Sequence, residues 1–275
     1  MIRFKQELIN LEKNSSLDIR LNLEKPELVF GRDMIPVKPD IRALSQMQEV
    51  LLDKKASGPG ELYYMYRGVG YQPDSAKIAK HHLSYDITII RPALVGKEFV
   101  KTAGHYHLNS YPELYEVLWG EAFCLLQRPD KDDFTKIEDV MLVKVKAKEK
   151  IVIPPYYGHI LINPLSEAPL VVANWVSSES SSDYTLYRKA KGAAYFIVNN
   201  DGEINLIKND FFKELPEART ARPVLPLKQF GLFFDKPIYS ILDECVEKLD
   251  FLKYPDKYDY NNCFVADKTL LCAVV

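Results

Sequence analysis

An all-β barrel of the jelly-roll kind is what this sequence predicts, on three observations. From Glu61 onward, short runs rich in Tyr, Val, Ile and Thr recur between turn residues, a spacing that belongs to sandwiches and barrels and not to alternating strand–helix folds. The stretch Gly104–Gly120, GHYHLNSYPELYEVLWG, carries His105 and His107 one residue apart, which places both imidazoles on one face of a strand. A later piece, Pro154–Asn163, brings His159 after a Pro-Pro corner. A jelly-roll barrel is the arrangement in which those two pieces face one interior.

Composition narrows the class. The 275 residues are 47% hydrophobic and 27% charged, as expected of a soluble globular chain. A net charge of −2 excludes a broadly basic nucleic-acid binder. The four cysteines, Cys124, Cys245, Cys263 and Cys272, form no C-x-x-C pair, so they read as reduced thiols and not as a disulfide framework or zinc ribbon. The N-terminus, MIRFKQELINLEKNSS, lacks the apolar centre of a signal peptide, and no apolar run reaches membrane-spanning length. A cytoplasmic protein without nucleic-acid or membrane partners is expected.

In chain order, residues 1–60 alternate polar patches with Pro and Gly and are expected to form an extension packing on the barrel. Within it, Asp40 would cap a helix over Ala43–Lys54, with Leu44, Met47, Val50 and Leu51 on one face. Residues 61–207 are expected to form the barrel. Its strands are Leu62–Tyr66, Tyr85–Ile90, Glu98–Thr102, Glu113–Trp119, Glu121–Gln127, Val140–Val145, Ile151–Ile153, His159–Ile162, Leu170–Val176, Ala194–Val198 and Ile204–Ile207. Gly68-Val69-Gly70 lacks the third glycine and following helix of a dinucleotide loop, and Val176–Tyr184 reads as a Ser-rich loop. Residues 208–275 form a C-terminal extension. In it Pro237 opens a helix over Ile238–Leu252, whose apolar face is Ile241, Leu242, Cys245, Val246 and Leu249. The run Thr269–Val275 needs a sheet edge or a partner to cover it.

Alternation along the Glu113 strand puts Glu113, Tyr115 and Val117 on one face. Three imidazoles and a carboxylate suit a borderline or hard divalent metal with positions left open for substrate. The spacing resembles the cupin family, whose first motif ends in His-x-His, a short gap, Glu, six residues and Gly. Glu113 and Gly120 fit that tail, while the gap after His107 is slightly longer than the common pattern. The resemblance implies the metal ligands His105, His107, Glu113 and His159, and a cupin barrel with N-terminal and C-terminal additions containing helix.

Further residues narrow the resemblance. GKEFVKTAGHYH, then Glu113-x-Tyr115, PPYYGH and Ser182-Asp183-Tyr184 look like the archaeal, cupin-type glucose-6-phosphate isomerases, over roughly Val29 to Ile207. That family implies a metal-dependent aldose–ketose isomerase, interconverting glucose 6-phosphate and fructose 6-phosphate through an enediolate. It implies Fe2+, with Mn2+, Ni2+ or Zn2+ as alternatives, and a homodimer. Thr88, Thr102 and Gly104 match its phosphate positions, with Tyr63 beside them. Tyr111, Tyr115 and Tyr184 match positions lining the sugar, and Glu113 and Tyr115 are the candidate catalytic groups.

Alternation leaves Thr88 with Asp86 on the face opposite Ile87 and Ile89. Thr102 joins the histidine face only if Gly104 breaks the alternation with a bulge. Ser182 stands where compact members carry histidine, and Val172 where they can carry an aromatic. An isomerase or epimerase of another sugar phosphate, a cupin oxygenase, and a non-catalytic sugar-phosphate-binding cupin therefore stay open.

Overall fold

Two facing, mostly antiparallel sheets close around the interior that the alternating strands predict; the computed structural model describes residues 8–269 and 273–274. One sheet runs in the order Lys150–Ile153, Glu113–Trp119, Leu170–Ser177, Leu83–Ile90, Glu61–Tyr66, Asp40–Ala43. The other runs Gly158–Ile162, Glu121–Pro129, Ile137–Lys146, Arg219–Pro223, Phe264–Ala266. Between Glu113 and Ser177 the chain crosses repeatedly from one sheet to the other, and Glu113–Trp119 pairs with Lys150–Ile153 and Leu170–Ser177, neither of which adjoins it in sequence. This is the jelly-roll pattern of the cupin barrel.

Side-chain period decides where each layer's core lies. Tyr63, Tyr115, Val117, Cys124, Leu126, Ile151, Leu161 and Val172 fill the space between the sheets. Their sequence neighbours Leu114, Leu118, Ile87, Ile89 and Trp175 point the other way, onto the outer face of the first sheet. That face is covered by a three-stranded sheet, Leu8–Asn10, Ile19–Asn22 and Glu27–Phe30, and by the C-terminal residues Phe230, Ile238, Leu242, Leu249, Phe251 and Leu252. Fully burying one such side chain is worth about 1.5–3 kcal/mol, so the apolar stripe of the C-terminal segment is satisfied within the chain. The outer face of the second sheet, with Phe123 and Leu125, packs on Tyr187, Tyr195, Ile197 and Leu206.

Two expected helices take other forms. Asp40 begins an edge strand that pairs with Glu61–Tyr66, and residues 44–50 form two short 3-10 turns, Leu44–Gln46 and Gln48–Val50. The buried Lys101–Glu98 pair captures backbone groups there: Lys101 Nζ donates to the Val50 carbonyl (2.9 Å), and the Leu52 N–H donates to Glu98 (3.0 Å). Residues 238–252 form the turn Ile238–Ser240, a short helix Ile241–Cys245 and the 3-10 stretch Val246–Leu252. Cys245 has extended backbone (φ −168°, ψ 81°) and an exposed side chain, so it is not part of the apolar face.

Ser182–Asp183, expected in a loop, pairs as a short strand with Tyr106–His107. Ala273–Val274 pairs in parallel with Glu203–Lys208, and the rest of the expected tail strand, residues 270–272 and 275, lies outside the described residues. Among the described residues no helix is long and apolar enough to cross a membrane.

Candidate active site

Gly104 is the joint on which the site turns. Its φ of +77° lies in the region that favours glycine, and a Cβ there would run into Ile160 and the ring of Tyr187. The irregular backbone breaks the strict alternation that would have turned Thr102 away from the histidines. Thr102, Gly104, His105 and His107 line one pocket of about 340 Å³ together with Glu113, Tyr115, His159, Thr88, Tyr63 and Tyr184. Beyond Gly104, His105 bridges His159 through both backbone hydrogen bonds, 3.3 and 3.1 Å. The two imidazoles are thereby set opposite each other, with ring centroids 4.5 Å apart.

The donor atoms converge on one carboxylate. Glu113 Oε2 lies 3.2 Å from His107 Nε2 and 3.2 Å from His159 Nε2, and His105 Nε2 is 3.1 Å from His107 Nε2. Ligating atoms of His105, Glu113 and His159 fall within 4.8 Å of one another. The other carboxylate oxygen, Oε1, accepts from Asn174 Nδ2 at 2.7 Å. Asn174 stands directly across from Tyr115 on the neighbouring strand. His107 Nδ1 lies 2.8 Å from the Tyr111 carbonyl. A carbonyl only accepts, so Nδ1 carries the proton and Nε2 of the neutral ring presents a lone pair to the cluster.

That polarity tests whether a cation fits. A lone pair on His107 Nε2 and a carboxylate oxygen 3.2 Å away repel unless a proton or a cation lies between them. Glu113 Oε2 and His159 Nδ1 are moreover buried without a hydrogen-bond partner among the described residues. Three imidazole nitrogens and one carboxylate oxygen form a donor set suited to a divalent metal, and the residues fit it.

Protons on the imidazoles are the alternative to a cation. Burial acts to raise the Glu113 carboxyl, but hydrogen bonds and positive charge from protonated His107 and His159 outweigh it and hold the group well below the usual carboxylate range. Burial, reinforced by His159, keeps His105 well below the usual imidazole range, hence neutral. His107 goes the other way: burial opposes its charge, yet the Glu113 hydrogen bond and charge raise it. Burial and the Glu113 charge push the Tyr115 phenol well up, so it stays protonated, with its hydroxyl 3.3 Å from His159 Nε2.

Of the residues singled out from the sequence, Thr88 faces the pocket beside Asp86, as alternation requires. Thr102 Oγ1 accepts from the Leu161 N–H (3.0 Å), leaving its own proton to donate. Tyr63 accepts from the Ala103 N–H (3.2 Å), and the Tyr184 ring sits 5.6 Å from that of His105. Ser182 also lines the pocket, whereas Val172 is fully buried in the core beneath it. Tyr111 is different: its carbonyl holds His107, but its side chain opens onto a separate hollow with Arg128, Tyr156 and Tyr157.

Sequence reasoning missed Arg67, Asp86 and Asn174, which also reach the pocket. The expected strand ends at Tyr66; carrying its alternation one residue further places Arg67 on the face of Tyr63 and Met65.

The family described as glucose-6-phosphate isomerase (GPI) matches residues 31–213. The chain belongs to the glucose-6-phosphate isomerase family. Among its relatives, the glucose-6-phosphate isomerase of Pyrococcus furiosus is 26% identical over 180 residues, covering 64% of this chain and 89% of the relative. That of Pyrococcus abyssi is 27% identical over 188 residues, covering 67% and 94%. That of Thermococcus onnurineus is 24% identical over 209 residues, covering 74% and 100%. The matched span holds every residue of the pocket, while most of the C-terminal segment that covers the outer sheet face lies beyond it.

Proposed function

We propose that this chain interconverts glucose 6-phosphate and fructose 6-phosphate in a metal-dependent reaction. The observation that carries the proposal is the convergence of His107 and His159 on one oxygen of Glu113 while Asn174 holds the other. Family membership supplies the substrate. His105, His107, Glu113 and His159 would hold a divalent cation, Fe2+ being the first choice and Mn2+, Ni2+ or Zn2+ the alternatives. Bound there, it would act as a Lewis acid toward the oxygens on C1 and C2.

Aldose–ketose isomerisation moves hydrogen between C1 and C2. Glu113, ionised and buried, takes the proton from one carbon and returns it to the other by way of an enediolate. Its 3.2 Å contacts with two imidazoles fix it in place, and Asn174 prevents rotation of the carboxylate. Tyr115, kept protonated, can donate to a sugar oxygen. Thr88, Thr102 and the Gly104 backbone take the phosphate, and Tyr63 and Tyr184 wall the sugar. The competing route is a hydride shift with Glu113 as a ligand only. Proton transfer leaves solvent deuterium at C1 or C2 of product made in heavy water; product free of deuterium favours the hydride route.

The proposal extends to a cytoplasmic homodimer, with oligomeric state measured by light scattering. Ser182 at the pocket wall favours one second possibility, isomerisation or epimerisation of a different sugar phosphate. The test is turnover of fructose 6-phosphate after metal removal and add-back of each cation. Metal-dependent appearance of glucose 6-phosphate supports the assignment. Metal binding without turnover points to the other sugar phosphate, and tight sugar-phosphate binding without any turnover points to a non-catalytic binding protein.

A further inference from the structure

Among the described residues lining the pocket, Arg67 is the only lysine or arginine. It follows the strand Glu61–Tyr66, on the face that carries Tyr63 and Met65, and its side chain is half-exposed. The guanidinium does not hang free. Its Nη1 donates to Asp86 Oδ2 at 2.7 Å, and Asp86 is buried, accepting also from the Gly68 N–H (2.9 Å) and the Ser84 hydroxyl (2.7 Å). A carboxylate anchored by those two donors holds one edge of the guanidinium in place. Nη2 also donates to Met65 Sδ at 3.4 Å, a weak acceptor that a ligand oxygen outcompetes, and the remaining N–H groups are left to a ligand. Arginine fixed in this way is suited to the planar, two-pronged recognition of a phosphate.

Register places Arg67 beside a predicted phosphate residue. Met65 lies opposite Thr88 and Tyr66 opposite Ile87, so Arg67 stands next to Asp86, two residues along the strand from Thr88 and on the same face. Two residues of strand span roughly 7 Å, about the reach of one phosphate with a hydrogen bond on either side. The pocket lining also carries the hydroxyls of Ser178, Ser180 and Ser182. Ser180 Oγ there is buried with no hydrogen-bond partner among the described residues.

We propose that Arg67, held by Asp86, is the cation that binds the substrate's phosphate, bridging from the Thr88 hydroxyl toward the serine hydroxyls. This rests on the sugar-phosphate assignment of the pocket. It makes Arg67 a specificity-determining residue, selecting a phosphorylated sugar over a neutral one, and gives Asp86 a positioning role. Both lie on the barrel's own strands, so the subsite is built before substrate arrives.

The test uses inorganic phosphate as the probe on metal-stripped protein, with binding measured by calorimetry, alongside fructose 6-phosphate kinetics on the reconstituted protein. Arg67→Met should weaken phosphate binding about tenfold or more and raise KM similarly while kcat changes less than about threefold. Arg67→Lys should recover part of the affinity. Because Arg67→Met strands a buried carboxylate, the double variant Arg67→Met/Asp86→Asn provides a folded control and should show the same loss. Phosphate affinity and KM within about twofold of the starting protein in that double variant would overturn the proposal and leave Arg67 as counter-ion to Asp86 alone. Should the unmodified protein fail to turn over fructose 6-phosphate, the isomerase assignment fails, and the phosphate titration alone decides Arg67.

Discussion

Glu113 and Glu116 sit three residues apart on one strand and meet opposite fates. Glu113 faces the barrel interior, where two imidazoles hold it ionised. Glu116 faces outward, yet it is as deeply buried, because the C-terminal segment lies over it. Lys150 Nζ is 2.9 Å from Glu116 Oε1, the Ile238 N–H donates to Oε2 (2.8 Å), and Lys150 donates to the Phe234 carbonyl (2.9 Å). Trp175 Nε1 adds a bond to the Ile238 carbonyl (2.9 Å). Burial pushes the Glu116 carboxyl up to about 7 in spite of Lys150 and the Ile238 N–H. The same side chain on the same strand thus meets the imidazole cluster of the candidate site on one face and fastens a covering segment on the other. Burial does not separate the two roles; the partners do.

The comparison can be broken first at Glu113. Glu113→Gln keeps the shape but removes the base and the anionic ligand, and kcat should fall by about 10²–10⁴ while near-ultraviolet circular dichroism keeps the native signature. Next comes Lys150→Met on the other face, which leaves Glu116 buried without its cation. Denaturant titration should show a loss of about 3–5 kcal/mol, with kcat of the folded protein within a few fold.

The pH dependence sharpens the contrast. The Glu116 pKa is raised on folding, to about 7 from 4.5, so between those values the native state holds a proton that the unfolded chain releases. Its contribution is therefore complete below about pH 4.5 and is lost as pH rises to 7, by about 3 kcal/mol. Glu116→Gln lacks this group, so its stability relative to the parent should rise by about 2 kcal/mol between pH 5 and 7, the part of the window that paired denaturant titrations at those two values read. A flat difference would place Glu116 outside the linkage.

A smaller effect is expected at Asn174, which only orients the carboxylate. Asn174→Ala should weaken metal affinity by about 10–100-fold, measured by competition with a chromophoric chelator. Unchanged affinity would mean that the imidazoles alone orient Glu113.

Much of the barrel was legible because its strands alternate cleanly: the expected Glu113–Trp119 is the observed strand, and the expected Leu170–Val176 runs one residue further. Period 2 likewise puts His105 and His107 on one face, and the cupin resemblance adds Glu113 and His159; all four line one pocket. What escaped depended on tertiary partners. Met47, Val50 and Leu51 are buried as their pattern suggested, but the buried Lys101–Glu98 pair takes up backbone groups that a helix would have used. The N-terminal sheet hid behind Pro and charged residues, although Ile19 and Leu21 alternate. Asp86 shares the Thr88 face by alternation, but its link to Arg67, one residue past the expected strand, depends on the pairing of the two strands.

The most direct measurement sets the two glutamates side by side: fructose 6-phosphate turnover by metal-reconstituted Glu113→Gln and Glu116→Gln, with denaturant stability of both in the metal-free form. Turnover lost in the first and kept in the second, whose stability becomes less sensitive to pH between 5 and 7, is the predicted result. Full turnover by Glu113→Gln, or its loss in a folded Glu116→Gln, would contradict the division of this strand into a reacting face and a fastening face.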